Sequence, residues 1–155
     1  FTKMSQIEYK RLEGIPPAEV IDWFTRINQE IFALNETVEN MTKFFNSRQR
    51  VLLCCAFQDG EPIGFKVGFQ DNPGSFESWR GGVVESARGQ GIAMKLMRMQ
   101  HNWCEKKNYQ VIKTVTNGDN TAMLILNLKS GFRIVGTAIN RRKHLKVFQE
   151  KWLDQ

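Results

Sequence analysis

The stretch that most constrains the fold runs from Trp79 to Met97. Val83 and Val84 end an apolar segment that reads as a buried strand. A short polar passage follows, and Arg88-Gly89-Gln90-Gly91 then leads into a run whose apolar residues recur at helical spacing. Strand, glycine loop and helix in that order bring several unpaired backbone N–H groups and the positive end of a helix dipole to one spot. The glycines let a ligand approach the main chain without meeting a Cβ, so the junction suits a phosphate or pyrophosphate. Two familiar phosphate motifs are missing. A Walker loop needs Gly, four residues and Gly-Lys-Ser/Thr, which the chain lacks. A dinucleotide fingerprint needs three glycines and an acid near the end of the next strand, but Tyr109 to Thr116 contains none.

What the stretch does carry is Arg-x-x-Gly-x-Ala, from Arg88 to Ala93. In this it resembles the acetyl-CoA pyrophosphate loop of the GNAT superfamily of N-acetyltransferases. Asn120 to Phe132 resembles that family's other signature, an asparagine opening a short helix that ends in Gly-Phe, here Gly131-Phe132. The resemblance implies acetyl transfer from acetyl-CoA to a primary amine of a small molecule or a protein, with acetyl-CoA as co-substrate and no metal. It also implies site residues. Arg88, Gly89, Gln90, Gly91, Ile92 and Ala93 would surround the pyrophosphate, Asn120 would bond the pantetheine arm, and main-chain N–H groups around Val83 and Val84 would meet the oxyanion. Glu77 lies on the strand before the loop, where the histone-acetylating branch places its glutamate base; Glu85, nearer the loop, is the second choice. Many members carry a tyrosine four residues before the glycine of Gly-Phe, where it can protonate the departing thiolate. Here that position is Asn127. An amide can bond a thiolate but gives up no proton at neutral pH, so the general-acid role does not carry over.

Elsewhere the patterning is plain. Ile7, Tyr9 and Leu12 suggest an opening strand, closed by Gly14 and Pro16-Pro17. A helix is expected from Pro17, with Val20, Trp23, Phe24, Ile27, Ile31 and Phe32 on one core-facing side. Asn35-Glu36-Thr37 reads as the cap of a second helix through Met41, Phe44 and Phe45. Val51 to Phe57 and Ile63 to Phe69 flank Asp59-Gly60, a hairpin signal, and Pro62 should lie at a strand start or edge. Asp71 to Gly74 turns into a strand from Phe76 to Val84. Tyr109 to Thr116 is a strand expected to run parallel to it across the intervening helix. Phe132 to Ile139 and His144 to Trp152 complete an antiparallel pair. The expected class is α+β: a central mixed β-sheet of about six to seven strands flanked by about four helices, in the order β-α-α-β-β-β-α-β-α-β-β, as the resemblance also implies.

Size and composition fit one domain over residues 1–155, since 41% hydrophobic content supports a core without staples. The longest apolar run, Val51 to Phe57, is too short to span a bilayer, and no signal-peptide pattern opens the chain, although Phe1 suggests that the numbering begins inside a longer one. A soluble, cytoplasmic protein is expected. The three cysteines, two of them the neighbours Cys54 and Cys55, agree with a reducing compartment. With only His101 and His144 and no ligand spacing, a metal is not expected. His101 reads as a surface or boundary residue. The net charge of +6 is densest at Arg141-Arg142-Lys143 and Lys146, with no zinc-finger, helix-turn-helix or aromatic RNA-binding signature beside it. Coenzyme A is itself a polyanion that such a face would attract. Two readings from other classes stay open: a non-catalytic acyl-CoA-binding or regulatory domain of the same fold, and a nucleic-acid-binding module. Pairing of edge strands with a second copy is open too.

Overall fold

The structure, a computed structural model, describes residues 6–153. Phe1, which suggested a numbering that begins inside a longer chain, lies outside them. The elements are β1 (Ile7–Glu13), α1 (Ala18–Phe32), α2 (Val38–Asn46), β2 (Gln49–Gln58), β3 (Glu61–Asn72), β4 (Ser75–Val83), α3 (Ile92–Lys106), β5 (Val111–Asn117), α4 (Thr121–Lys129), β6 (Arg133–Ile139) and β7 (Leu145–Trp152), with a 3₁₀ turn at Glu85–Ala87. They form the expected mixed fold, a seven-stranded sheet in the order β1-β2-β3-β4-β5-β7-β6 with four α-helices. Every neighbouring pair is antiparallel except β4 and β5, the pair joined through α3.

Local chemistry explains the joints. Asp59 and Gly60 both take positive φ, 52° and 79°, which is what a two-residue hairpin turn requires, and Pro62 sits at the start of β3. Pro17 immediately precedes α1, and the Thr37 hydroxyl caps α2 by accepting from the Asn40 N–H at 3.1 Å. β2 and β3 lie mid-sheet and are covered on both faces. Phe65 points toward α1, where Phe24 meets it edge-on at 4.8 Å; the next residue, Lys66, points to the other face, beside Leu96 and Met97 of α3. Cys54 and Cys55 are fully buried, and burial pushes both thiols up to about 12. All three cysteines are free.

His101 departs from expectation. It is 4% exposed, because the inner stripe of α3 includes Gln100 and His101 as well as its apolar residues. Its ring meets Phe132 edge-on at 5.4 Å, and Lys151 Nζ donates to Nδ1 at 2.9 Å. Burial and the adjoining ammonium hold its pKa down to about 3, so the imidazole is neutral.

Candidate active site

β4 and β5 stay together for only three residue pairs, Ser75 with Val111, Phe76 with Ile112 and Glu77 with Lys113. At one end the Gly74 carbonyl accepts from the Gln110 and Val111 N–H groups at 2.7 and 3.2 Å, and at the other the Thr114 hydroxyl donates to the Ser78 carbonyl at 2.9 Å. Beyond it the strands part. The cause lies on the other edge of β4, where the register against β3 steps from Gly68–Ser78 to Val67–Arg80 and leaves Trp79 as an extra, bulged residue. A bulge bends its strand and increases the local twist. Past Ser78 the β5-facing edge of β4 therefore has no ladder partner.

A cavity of about 410 Å³ fills this fork, between Ser78, Trp79, Arg80 and Gly81 of β4 and Thr114, Val115 and Thr116 of β5. A second, of about 630 Å³, lies over the glycine loop and the start of α3. Phe32, Asn120 and Met123 line both, so the two cavities adjoin between the loop and the fork. Phe32 is thus a wall of both cavities rather than the core residue its helical spacing suggested.

At the loop end, Gly89 and Gly91 have φ of 81° and 76°, and a Cβ on either would meet nothing within 4 Å. Gly91 is the N-cap of α3 and offers no side-chain cap. The first turn holds no acid, so its N–H groups point outward unopposed. Arg88 Nε donates to the Val83 carbonyl at 3.1 Å, folding the guanidinium back along the loop, and Gln90 Nε2 donates to the Ala87 carbonyl. Ile92 is buried and Ala93 partly so, seating the helix. Asn120 caps α4, accepting from the Met123 N–H at 3.3 Å, while facing both cavities. Val83 and Val84 are buried, and the Val84 N–H already donates to the Ile63 carbonyl at 2.9 Å.

The catalytic candidates are less gathered. Glu77 is half-buried at the closed end of the seam and is not among the residues that line the fork. Burial first, and Asp71 second, push its carboxyl above the usual range, while Arg48 and Lys113 pull the other way. Glu85 is exposed on the 3₁₀ turn. Asn127 lines the fork, but its amide is committed, donating to Thr116 Oγ1 at 3.2 Å and Gln149 Oε1 at 2.9 Å.

The sequence reading passed over four residues of the fork. Trp79 stacks on Phe44 at 4.1 Å, and the Arg80 guanidinium lies over Trp79 while donating to both Glu36 oxygens at 3.1 and 3.0 Å. This ties the α1–α2 loop to β4. Ser78 and Lys66 approach from the α3 side, both buried. For Ser78, Trp79 and Arg80, their position on the strand before the glycine loop was the one signal available; Lys66, on β3, had none. Among the described residues, no three His, Cys, Asp or Glu side chains gather as metal ligands, and no helix is long and apolar enough to cross a membrane.

Comparison with solved structures returns the same architecture. The ribosomal-protein-S18-alanine N-acetyltransferase of Escherichia coli aligns with a TM-score of 0.78 at 13% identity, over 94% of this chain and 96% of that one. An N-acetyltransferase of Staphylococcus aureus Mu50 gives 0.74 at 20%, over 94% and 99%. The PaiA N-acetyltransferase of Thermoplasma acidophilum, solved in complex with coenzyme A, gives 0.72 at 15%, over 95% and 99%. No curated protein matches the sequence. The model of the acetyltransferase (GNAT) family does match, over residues 18–132, so the forked sheet and its glycine loop are those of a family: the chain belongs to the GNAT acetyltransferases.

Proposed function

We propose that the chain is an acetyl-CoA-dependent N-acetyltransferase acting on a primary amine of a small molecule or a protein. One observation carries this reading: an uncapped helix terminus with two open glycines and an unpaired strand edge lie on adjoining cavities that share Phe32, Asn120 and Met123. The residues fit coenzyme A at both ends. Outward N–H groups, open glycine backbone and Arg88 suit a pyrophosphate. The unpartnered edge of β4 suits an extended arm bearing amides, which can continue the ladder. Ile31, Phe32, Met123 and Leu126 give the apolar wall between them. When bound, acetyl-CoA supplies an activated acetyl carbon.

An amine with a pKa near ~10.4 must lose a proton before it attacks. Glu77 is assigned as the base, acting through a water, because its raised pKa suits proton uptake and Glu85 lies out in solvent. The acceptor enters from the α1–α2 side, past Phe32, Trp79 and Arg80. The basic balance of the chain favours an acidic or small neutral amine over a basic protein tail. The second reading, a non-catalytic acyl-CoA-binding domain, is favoured by Asn127, whose committed amide supplies no acid.

A thermal-shift titration with acetyl-CoA, coenzyme A and ADP, in wild type and Gly91→Glu, tests the first step. At 100 times its dissociation constant a ligand stabilises by ~2.7 kcal/mol. A shift in wild type that the variant loses supports the site. Amine-dependent thiol release, reduced in Glu77→Gln, then separates enzyme from binding domain. No shift with any ligand overturns the reading.

A further inference from the structure

Lys66 is a cation in a place where a cation is expensive. It sits mid-strand on β3, in register with Cys54 on one side and Gly81 on the other, and is 8% exposed. No salt bridge among the described residues includes it. A buried charge without a partner costs several kcal/mol. Yet its surroundings keep a path open for it. It lines the fork together with Ser78 and Asn127, and also a small void of about 30 Å³ behind β4. Gly81 leaves the room, since a Cβ there would stand 3.3 Å from Lys66 Cγ and 3.5 Å from Nζ. The ammonium therefore lies against the unpartnered stretch of β4, on the wall of the fork. Beside it Ser78, 3% exposed, has a hydroxyl that finds no protein partner.

The titratable groups facing Lys66 give it no counter-charge. Cys54, from β2, is a neutral thiol, and His101, from α3, is a neutral imidazole whose Nδ1 is taken by Lys151 of β7. An anion arriving in the fork would be the first that this ammonium meets.

We propose that Lys66 is the acid that protonates the departing thiolate, in place of the tyrosine that Asn127 replaces. This rests on the acetyl-transfer reading above. The amine nitrogen bonds to the acetyl carbon, and its proton leaves to the base. As the carbon–sulfur bond breaks, its electron pair goes to sulfur. Lys66 gives that sulfur one N–H proton, yielding the free thiol and a neutral lysine amine, which regains a proton from solvent through the cavity it lines. Burial lowers the Lys66 pKa to about 8, so the group is charged at neutral pH and close to an ordinary thiol at ~8.5. A donor so matched transfers its proton with little penalty either way.

The test uses Lys66→Met and Lys66→Arg, first checked by thermal melts. Coenzyme A is bound to each, and thiol ionisation in the complex is read by ultraviolet thiolate absorbance against pH. The bound thiol is expected to ionise about one pH unit or more lower in wild type and Lys66→Arg than in Lys66→Met. Turnover with an accepted amine should fall about 100-fold in both variants, because a guanidinium keeps the charge but does not release the proton. Identical thiol titrations in wild type and Lys66→Met, with coenzyme A bound to both, would overturn the proposal while sparing the acetyl-transfer reading. Failure of wild type to bind coenzyme A would overturn that reading and this one with it.

Discussion

Replacing Gly91 with alanine separates what the loop costs from what it binds. Gly91 holds φ at 76°, and a Cβ there would meet nothing within 4 Å. The change is all strain and no clash, about 1 kcal/mol for an L-residue in the left-handed region. Gly60, in the β2–β3 turn, has φ of 79° and equally open surroundings, which makes it a matched control. Without ligand, each variant should melt about 2–4 °C below wild type, the shift that ~1 kcal/mol produces in a domain of this size. With coenzyme A they should part. At 100 times the wild-type dissociation constant, wild type and Gly60→Ala gain ~2.7 kcal/mol. Gly91→Ala forfeits at least one charge-assisted hydrogen bond, worth ~1.5–3 kcal/mol, so its gain falls to about 0.3–1.3 kcal/mol. Scanning fluorimetry with and without ligand reads both quantities. Equal ligand shifts in the two alanine variants would refute the claim that the loop backbone meets the phosphates. Unequal melting temperatures without ligand would refute the strain argument.

Three further outcomes follow from the same geometry. In Gly68→Ala the new Cβ would stand 2.3 Å from the Glu77 carbonyl oxygen and 2.4 Å from Phe76 Cε1, so urea unfolding should show a loss of ~3 kcal/mol or more; an unchanged midpoint would mean that β3 and β4 are not so close. Lys66→Met should be the more stable protein at pH 7. The folded-state pKa lies below the ordinary 10.5, so the unfolded chain binds the extra proton between pH 8 and 10.5 and wild type gains stability as pH rises through that window. The advantage, on the order of 3 kcal/mol, should therefore close by about pH 10.5 in denaturant titrations, and a pH-independent gap would count against a buried, unpaired ammonium. Asn127→Ala removes the donor to Thr116 and Gln149 and should cost ~1–3 kcal/mol, a drop of about 2–12 °C in a calorimetric scan; no drop would mean that this buried polar cluster holds nothing together.

The parts legible in the sequence were those decided by neighbours in the chain. Asp59-Gly60 specified its turn because only a few residues accept positive φ twice in succession. Gly89 and Gly91 specified the loop for the same reason, and the apolar spacing after them specified α3. Lys66 was illegible because in Gly64-Phe65-Lys66-Val67-Gly68 it falls where a half-exposed strand would turn a polar residue to water; only the arrival of α3 on that face, some thirty residues later, buries it. His101 misled similarly, since Phe132 and Lys151 come from beyond α4 to cover it. The bulge at Trp79 leaves no local trace, because it exists only in the register between β4 and β3. Asn127 was visible as a departure, but the partners that hold its amide lie on β5 and β7. Glu77 was found by its distance from the loop, a measure blind to the point at which two strands part.

The seam between β4 and β5 also bears on how the protein comes apart. Strands β1 to β4 and strands β5, β7 and β6 are two ribbons, each well laddered within itself, stitched together at three residue pairs, the N–H groups that Gln110 and Val111 give to the Gly74 carbonyl, and one hydroxyl. A ligand lying in the fork with one end on the α3 terminus and its flanks on both ribbons would act as a rivet through that weak join. Amide hydrogen exchange in β5, β6 and β7 should then slow on ligand binding by more than contact alone accounts for, because the second ribbon would no longer open independently of the first. The co-substrate of such a protein would be, for as long as it stays, an internal beam of the fold.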